Sequence, residues 1–131
     1  MKFYVASGLV NRDRVRSVVD ALAALGHTPA YDWTLHGDVR RCGEERMREV
    51  AGKEAQGVVE SELVLLMLPG GAGTHTELGL ALAARGNKRI LLWSATGREF
   101  QGNETCVFYH HPAVRRICCP FEELMEALPT L

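Results

Sequence analysis

Residues 63–86, "LVLLMLPGGAGTHTELGLALAARG", place an apolar run, a glycine-rich turn and an alanine- and leucine-rich segment in direct succession. The run Leu63–Leu68 is continuously apolar, which is typical of a central parallel strand that is covered on both faces. The glycines end that run, and the segment behind them has the composition of a helix. A buried strand followed by a tight turn and a helix is the unit from which open parallel α/β sheets are built.

Similar units occur on both sides of this stretch. Helices are predicted from Asn11 to the stop at Gly26, over Glu44–Glu60, and from Pro120 as an N1 proline. The predicted strands are Lys2–Ala6, Thr28–Thr34, Leu63–Leu68, Arg89–Trp93 and Thr105–His110. Strands that alternate with helices predict one α/β domain over residues 1–131, a doubly wound five-stranded parallel sheet with helices on both faces. The expected strand order is the flavodoxin-like 2-1-3-4-5.

Composition narrows the class of protein. The formal net charge of -1 argues against a surface for a nucleic acid polymer or an anionic membrane. No apolar run approaches the roughly 20 residues that span a bilayer, and the first residues do not resemble a signal peptide. The four cysteines lack C-x-x-C spacing, and the adjacent pairs His110–His111 and Cys118–Cys119 are poorly spaced for zinc. We therefore expect a cytoplasmic protein with reduced thiols, no metal and no cofactor.

In doubly wound sheets the ligand lies at the carboxyl ends of the strands, where the strand order reverses. This rule brings Tyr4–Gly8, Asp32–Trp33 and Pro69–Glu77 around one crevice. Ser7 and Gly8 follow the first strand and are predicted to contact a sugar or a phosphate. Asp32 either accepts hydrogen bonds from ribose hydroxyls or caps a turn. Trp33 either stacks on a base or covers the end of the sheet.

The glycine-rich turn is a candidate ligand loop. Gly70, Gly71 and Gly73 are predicted to adopt positive φ and to let the backbone approach a ligand closely. Thr74 or Thr76 is predicted to cap the helix, which leaves free N–H groups for an anion or for hydroxyls. The spacing matches neither G-x-G-x-x-G nor a Walker A loop, so the glycines by themselves are also compatible with an ordinary turn.

Glu77 is the candidate catalytic residue. We expect it in the first turn of the helix, where the positive helix end would keep its carboxylate ionised. A capping box is the structural alternative for a glutamate in such a place. An ionised, oriented carboxylate is what a glycosidic nucleophile requires, because it traps an oxocarbenium-like centre.

These stretches resemble the nucleoside 2-deoxyribosyltransferase family and its nucleoside 5′-monophosphate N-glycosidase relatives. The resemblance runs through Trp93, and its most specific part is G-T-x-x-E-L-G-x-A-x-A, residues 73–83. It implies that Glu77 attacks the anomeric carbon and forms a covalent sugar ester, with Tyr4 orienting it. It also implies that Glu54 contacts or protonates the base, although relatives usually have an aspartate at this position.

The resemblance further implies that a neighbouring subunit completes the site. We therefore expect a homodimer or a larger assembly, with Asn103 or His110 reaching a neighbouring site. The segment from Leu78 to Ala84 is apolar nearly all round, which is typical of a helix that is covered on its outer face. Packing of an alanine-rich face within one chain is the alternative.

Together these features predict cleavage of the N-glycosidic bond of a nucleoside or nucleoside monophosphate. The sugar passes either to another base or to water, and the sequence leaves both open. Arg40, Arg41, Arg46 and Arg48 form either a solvated helix face or a phosphate contact. The alternative function is a nucleotide-binding or sensing module without turnover.

Overall fold

The computed structural model describes residues 1–84 and 86–131. Five parallel strands form one sheet in the order β2-β1-β3-β4-β5, which confirms the predicted fold. The strands are β1 (Lys2–Ser7), β2 (Thr28–Pro29), β3 (Leu63–Met67), β4 (Arg89–Ser94) and β5 (Val114–Cys118). The helices are α1 (Arg12–Ala24), α2 (Glu44–Glu60), α3 (Ala72–Ala83) and α4 (Phe121–Ala127). Right-handed crossovers place α2 and α3, which pack against each other, on the face opposite to α1.

The register of the central strands fixes where the site forms. β3 is buried along its whole length and pairs with β1 on one side and β4 on the other. Ser7 is paired with Met67, so β1 and β3 end at the same level. The turns that follow these two strands therefore leave the sheet side by side, at the point where the strand order reverses.

The second strand is much shorter than the predicted Thr28–Thr34. Only Thr28 and Pro29 pair with β1, and the last ladder-like contact is the Ala30 N–H to the Phe3 carbonyl, at 2.9 Å. Asp32 then accepts a hydrogen bond from the Thr34 N–H and starts a 3-10 turn over Trp33–Leu35. The aromatic and β-branched residues here are buried by this turn and not by a strand.

The predicted fifth strand at Thr105–His110 is wrong. Val107–His110 forms a 3-10 turn, and the edge strand that pairs with β4 is β5. Of the apolar residues in this stretch, Tyr109 is buried in the turn, whereas Val107 and Phe108 are exposed. β5 exposes its charged residues Arg115 and Arg116, as an edge strand does, so its sequence pattern is weak.

The helix bounds agree better with the sequence. α2 has the predicted ends, and Val50 and Val58 are buried, whereas Ala51 and Val59 are exposed. Gly26 has a φ of 92° behind α1, as a glycine stop requires. Pro120 is the N-cap of α4 and not its first residue.

The described residues contain no helix that is long and apolar enough to cross a membrane. Nor do they contain a cluster of three or more histidine, cysteine or acidic side chains suited to a metal ion. All four cysteines are free thiols.

Candidate active site

A cleft of about 420 Å³ opens at the carboxyl edge of the sheet. Its walls come from the turn after β1, the segment 33–40, one face of α2 and the beginning of α3. Most of the predicted site residues line it: Ser7, Gly8, Trp33, Glu54, Gly71, Gly73, Thr74 and Glu77. The volume is within the range of small-molecule sites.

Tyr4 and Glu77 form a buried pair at this cleft. Tyr4 lies in the middle of β1 and is fully buried, and its hydroxyl donates a hydrogen bond to Oε2 of Glu77. The tyrosine ring fits beneath α2 because residue 57 is a glycine. A Cβ there would lie 3.2 Å from Cδ2 of Tyr4 and 3.0 Å from Cβ of Tyr31. The strand and both helices thus hold the Glu77 carboxyl in one orientation.

The expectation that the helix end keeps Glu77 ionised is wrong. Glu77 lies in the second turn of α3, beyond the range of the helix-end field, and only 8% of it is exposed. Burial raises the pKa of Glu77 to about 8, against the opposing effect of the Tyr4 hydrogen bond, and the charge of Glu54 raises it further. Burial and the two carboxylates raise the pKa of Tyr4 far above its ordinary value, so Tyr4 remains a donor.

Glu54 supplies a second carboxyl from the cleft face of α2. It is half-buried, and burial raises its pKa while the charge of His36 lowers it. Its charge also acts on Glu77 and Tyr4, so the three groups share one electrostatic environment. A buried carboxyl oriented by a tyrosine and a second one nearer to solvent can serve as nucleophile and acid when the one proton they share lies on the second.

The glycine-rich turn works differently from the prediction. None of Gly70, Gly71 and Gly73 has a positive φ. Gly70 is instead required by close packing, because a Cβ there would lie 2.4 Å from Cγ2 of Thr74. Neither threonine caps α3. The N-cap residue is Gly71, which has no side chain to accept a hydrogen bond, and the Thr76 hydroxyl donates to the Ala72 carbonyl. The first N–H groups of α3 therefore lack a side-chain partner where the helix meets the cleft.

Ser7 and Gly8 line the cleft, but their polar groups join the turns after β1 and β3. The Ser7 hydroxyl donates to the Met67 carbonyl at 2.6 Å, and the Gly8 N–H donates to the Pro69 carbonyl at 3.2 Å. Asn11, which the sequence analysis missed, donates to Oγ of Ser7 at 3.0 Å and to the Leu68 carbonyl at 3.2 Å. These bonds fix the relative position of the two turns.

Asp32 and Trp33 have different positions. Asp32 forms the turn cap and pairs with Arg16 at 3.0 Å, and it is not among the residues that line the cleft. Trp33 is nearly buried, and its Nε1 donates to the Val5 carbonyl at 2.8 Å while the side chain borders the cleft. Trp33 therefore covers the sheet end and faces the ligand space.

Gly70, Asn103 and His110 lie outside the cleft of a single chain. Asn103 and His110 belong to exposed 3-10 turns, and His110 contacts Oγ1 of Thr105 at 2.8 Å. His75 is also turned away: its Nε2 lies 2.6 Å from the Tyr109 hydroxyl and its Nδ1 2.7 Å from the Gly71 carbonyl oxygen.

The segment 36–40 contributes cleft residues that sequence reasoning did not single out, apart from Arg40. His36, Asp38 and Arg40 line the cleft in an irregular stretch without periodicity. Arg40 binds Asp38 in a two-pronged ion pair, with Nη2 to Oδ2 at 2.6 Å, and this contact lowers the pKa of Asp38 to about 2. The ring of His36 lies 5.7 Å from that of Tyr31.

The fold as a whole matches a known structure. The chain is similar to the Clostridium botulinum CMP N-glycosidase BcmB, with a TM-score of 0.69, 17% sequence identity, and coverage of 98% of this chain and 99% of that one. No family model matches the sequence, and neither does any curated protein. At this identity the similarity establishes the fold, and the chemistry has to be argued from the cleft.

Proposed function

We propose that the protein cleaves the N-glycosidic bond of a nucleoside or nucleoside monophosphate through a covalent sugar ester on Glu77. The observation that supports this proposal is the buried Tyr4–Glu77 pair, which orients one carboxyl toward a cleft of nucleotide size with Glu54 beside it. The nucleotide N-glycosidase activity named for the structural neighbour agrees with it.

In the first step the Glu77 carboxylate attacks C1′ of the sugar. The new C–O bond forms as the C1′–N bond breaks, and the bonding electron pair leaves with the base. Glu54 in its acid form gives the base a proton, which makes it a better leaving group. Tyr4 donates to the Glu77 oxygen and holds the other oxygen toward C1′.

In the second step an acceptor attacks C1′ and releases Glu77. If the acceptor is water, Glu54 takes its proton, the C1′–O bond to Glu77 breaks, and the free sugar is released with a hydroxyl at C1′. If the acceptor is another base, the product is a new nucleoside. Burial raises the pKa of Glu77 to about 8, which favours its protonated form in the free protein, so the first step requires that this proton has moved to Glu54 or to solvent.

A 5′-phosphate has two candidate contacts. The uncapped start of α3 offers free N–H groups at the cleft, and Arg40 lines the same cleft. We therefore favour a nucleoside monophosphate over a nucleoside.

We also propose that the active form is a homodimer or a larger assembly. Leu80 and Leu82 of α3 are only partly buried, and Val107 and Phe108 are more than half exposed. A second copy that covers these residues would bring Asn103 and His110 near a neighbouring cleft, which is the role predicted for them.

A nucleotide-binding module without turnover is the second candidate. It is favoured by the pKa of about 8 for Glu77, since a carboxyl that is protonated at neutral pH serves as a hydrogen-bond donor to a ligand. The two candidates differ in whether a free base appears.

The test is incubation with a panel of nucleosides and monophosphates, with and without a free base, followed by chromatography. The proposal predicts free base or base exchange with the wild type and a loss of at least about a thousandfold in Glu77→Ala. Glu44→Gln, on the exposed end of α2, is the matched control and should keep full activity. Ligand binding without any product would favour the binding module.

A further inference from the structure

His36 has a buried nitrogen without a partner at the edge of the cleft. Its Nδ1 lies 2.8 Å from the Gly37 carbonyl oxygen, which only accepts hydrogen bonds, so Nδ1 has the ring hydrogen. In the neutral imidazole Nε2 is then an acceptor. Within the part of the chain that the structure describes, this Nε2 is buried and has no hydrogen-bond partner. Such unpaired buried atoms are costly and uncommon, which points to a ligand as the missing partner.

Glu54 is the electrostatic neighbour of His36. Both residues line the same cleft, and a positive charge on His36 lowers the pKa of the Glu54 carboxyl, whereas a neutral ring leaves the effect of burial unopposed. Burial raises the pKa of Glu54, which favours its protonated form. The cleft wall thus combines a carboxyl whose protonated form is favoured by burial with an unpartnered Nε2 of His36 that lies just beneath its surface. The complementary edge of a ligand has an acceptor next to an N–H donor.

We infer that Nε2 of His36 accepts a hydrogen bond from the exocyclic amino group of the base, which makes cytosine or adenine nucleotides the substrate class. The inference rests on the proposed function, in which Glu54 protonates a ring nitrogen of the base. In cytosine and in adenine an amino group is adjacent to such a nitrogen. Uracil and hypoxanthine have a carbonyl oxygen in its place, so two acceptors would face each other without a hydrogen.

The contact requires a small adjustment of the imidazole, because Nε2 is shielded from solvent in the free protein. Side-chain adjustments of this kind are common when a partner binds. The Nδ1 bond to the Gly37 carbonyl keeps the hydrogen of a neutral ring on Nδ1, so a ring movement that exposes Nε2 offers the base an acceptor.

Two variants separate this role from a merely structural one. His36→Phe keeps a flat ring beside Tyr31 and removes the acceptor, whereas His36→Gln keeps an acceptor oxygen close to the Nε2 position. The readout is the ratio of kcat/KM for cytidine 5′-monophosphate over uridine 5′-monophosphate, and for adenosine over inosine 5′-monophosphate. A general loop defect lowers both members of each pair equally and leaves the ratio unchanged.

We expect the wild type to favour an amino base by about tenfold or more in at least one pair, from one hydrogen bond gained and one repulsion avoided. His36→Phe should bring that ratio to within about twofold of one, and His36→Gln should keep most of the preference. Equal turnover of amino and oxo bases by the wild type would overturn the inference and leave the N-glycosidase proposal intact. So would a preference that survives in His36→Phe.

Binding decides the question if no nucleotide is cleaved. Titration calorimetry with cytidine and uridine 5′-monophosphates, and with the adenosine and inosine pair, is then done on the wild type and on His36→Phe. An amino-base preference that the variant loses supports the inference even though the proposed catalysis has failed. Equal binding within each pair, or no binding, contradicts it.

Discussion

The substitution Glu77→Gln tests whether the Glu77 carboxyl is protonated in the folded protein. Its pKa is about 8 in the fold against an ordinary value of 4.5, chiefly because of burial. A carboxyl whose folded pKa is raised stabilises the protein fully below the unfolded pKa, and this contribution is lost as the pH rises through the folded value. Glutamine keeps the shape of the neutral acid and does not titrate.

The two pKa values set the size of the effect. Linkage predicts that wild type loses about 3 kcal/mol of unfolding free energy relative to Glu77→Gln between about pH 6 and pH 9. For a chain of this length the loss corresponds to a relative fall in Tm of about 10 °C.

Urea unfolding at pH 6, 7.5 and 9 measures this quantity for the wild type and the variant. Groups that titrate in both proteins cancel in the difference. Glu44→Gln removes one negative charge from an exposed position and should run parallel to the wild type. If wild type and Glu77→Gln also run parallel from pH 6 to 9, Glu77 is ionised throughout, and the account of its environment is wrong.

Three further substitutions test the roles of neighbouring residues. Tyr4→Phe removes a hydrogen bond that lowers the pKa of Glu77. The acid limb of the profile of kcat/KM against pH, near pH 8 in the wild type, should therefore shift to higher pH by about one unit. An unchanged limb would show that Glu77 does not govern it. Glu54→Gln should lower kcat/KM, which reports the first step, by about 10²–10⁴-fold for poor leaving bases and leave it nearly unchanged for an activated leaving group. A uniform loss of kcat/KM would make Glu54 a binding or structural residue. Gly70→Ala should destabilise the protein by about 1–3 kcal/mol, because its Cβ would overlap with Thr74. Gly79→Ala, where a Cβ meets open space on α3, the helix that follows the turn, is its control and should stabilise by up to about 1 kcal/mol in the same denaturation assay.

The helices and the central strands were predictable from sequence because their patterns are local and strong, and the sheet order followed from the rule for doubly wound sheets. The continuous apolar run of β3 and the amphipathic spacing of α1 report directly on burial. The two outer strands did not follow. Pro29 and the Asp32 turn shorten β2, and β5 is an exposed edge whose arginines hide the pattern, while buried Tyr109 makes a turn look like a strand.

The place of Glu77 in the site was predictable because a glutamate follows a glycine-rich turn at the carboxyl edge of the sheet. Properties of the site that depend on tertiary packing were not predictable in this way. The ionisation state of Glu77 depends on burial beneath neighbouring elements, which the position on a helix does not reveal. Gly70 is a glycine because of Thr74, a contact made across the turn and not a backbone requirement. His36 lies in a polar segment without periodicity, and only its unpaired nitrogen in the folded chain marks it.

The measurement that tests the covalent mechanism most directly is trapping of the sugar ester. A 2-deoxy-2-fluoro analogue of a cleaved nucleotide slows the second step, so the intermediate should accumulate. Mass spectrometry of the digested protein should then show one added fluorosugar on the peptide that contains Glu77, and none in Glu77→Gln. An adduct on a different peptide, or turnover of the normal substrate by Glu77→Gln at the wild-type rate, would contradict Glu77 as the nucleophile.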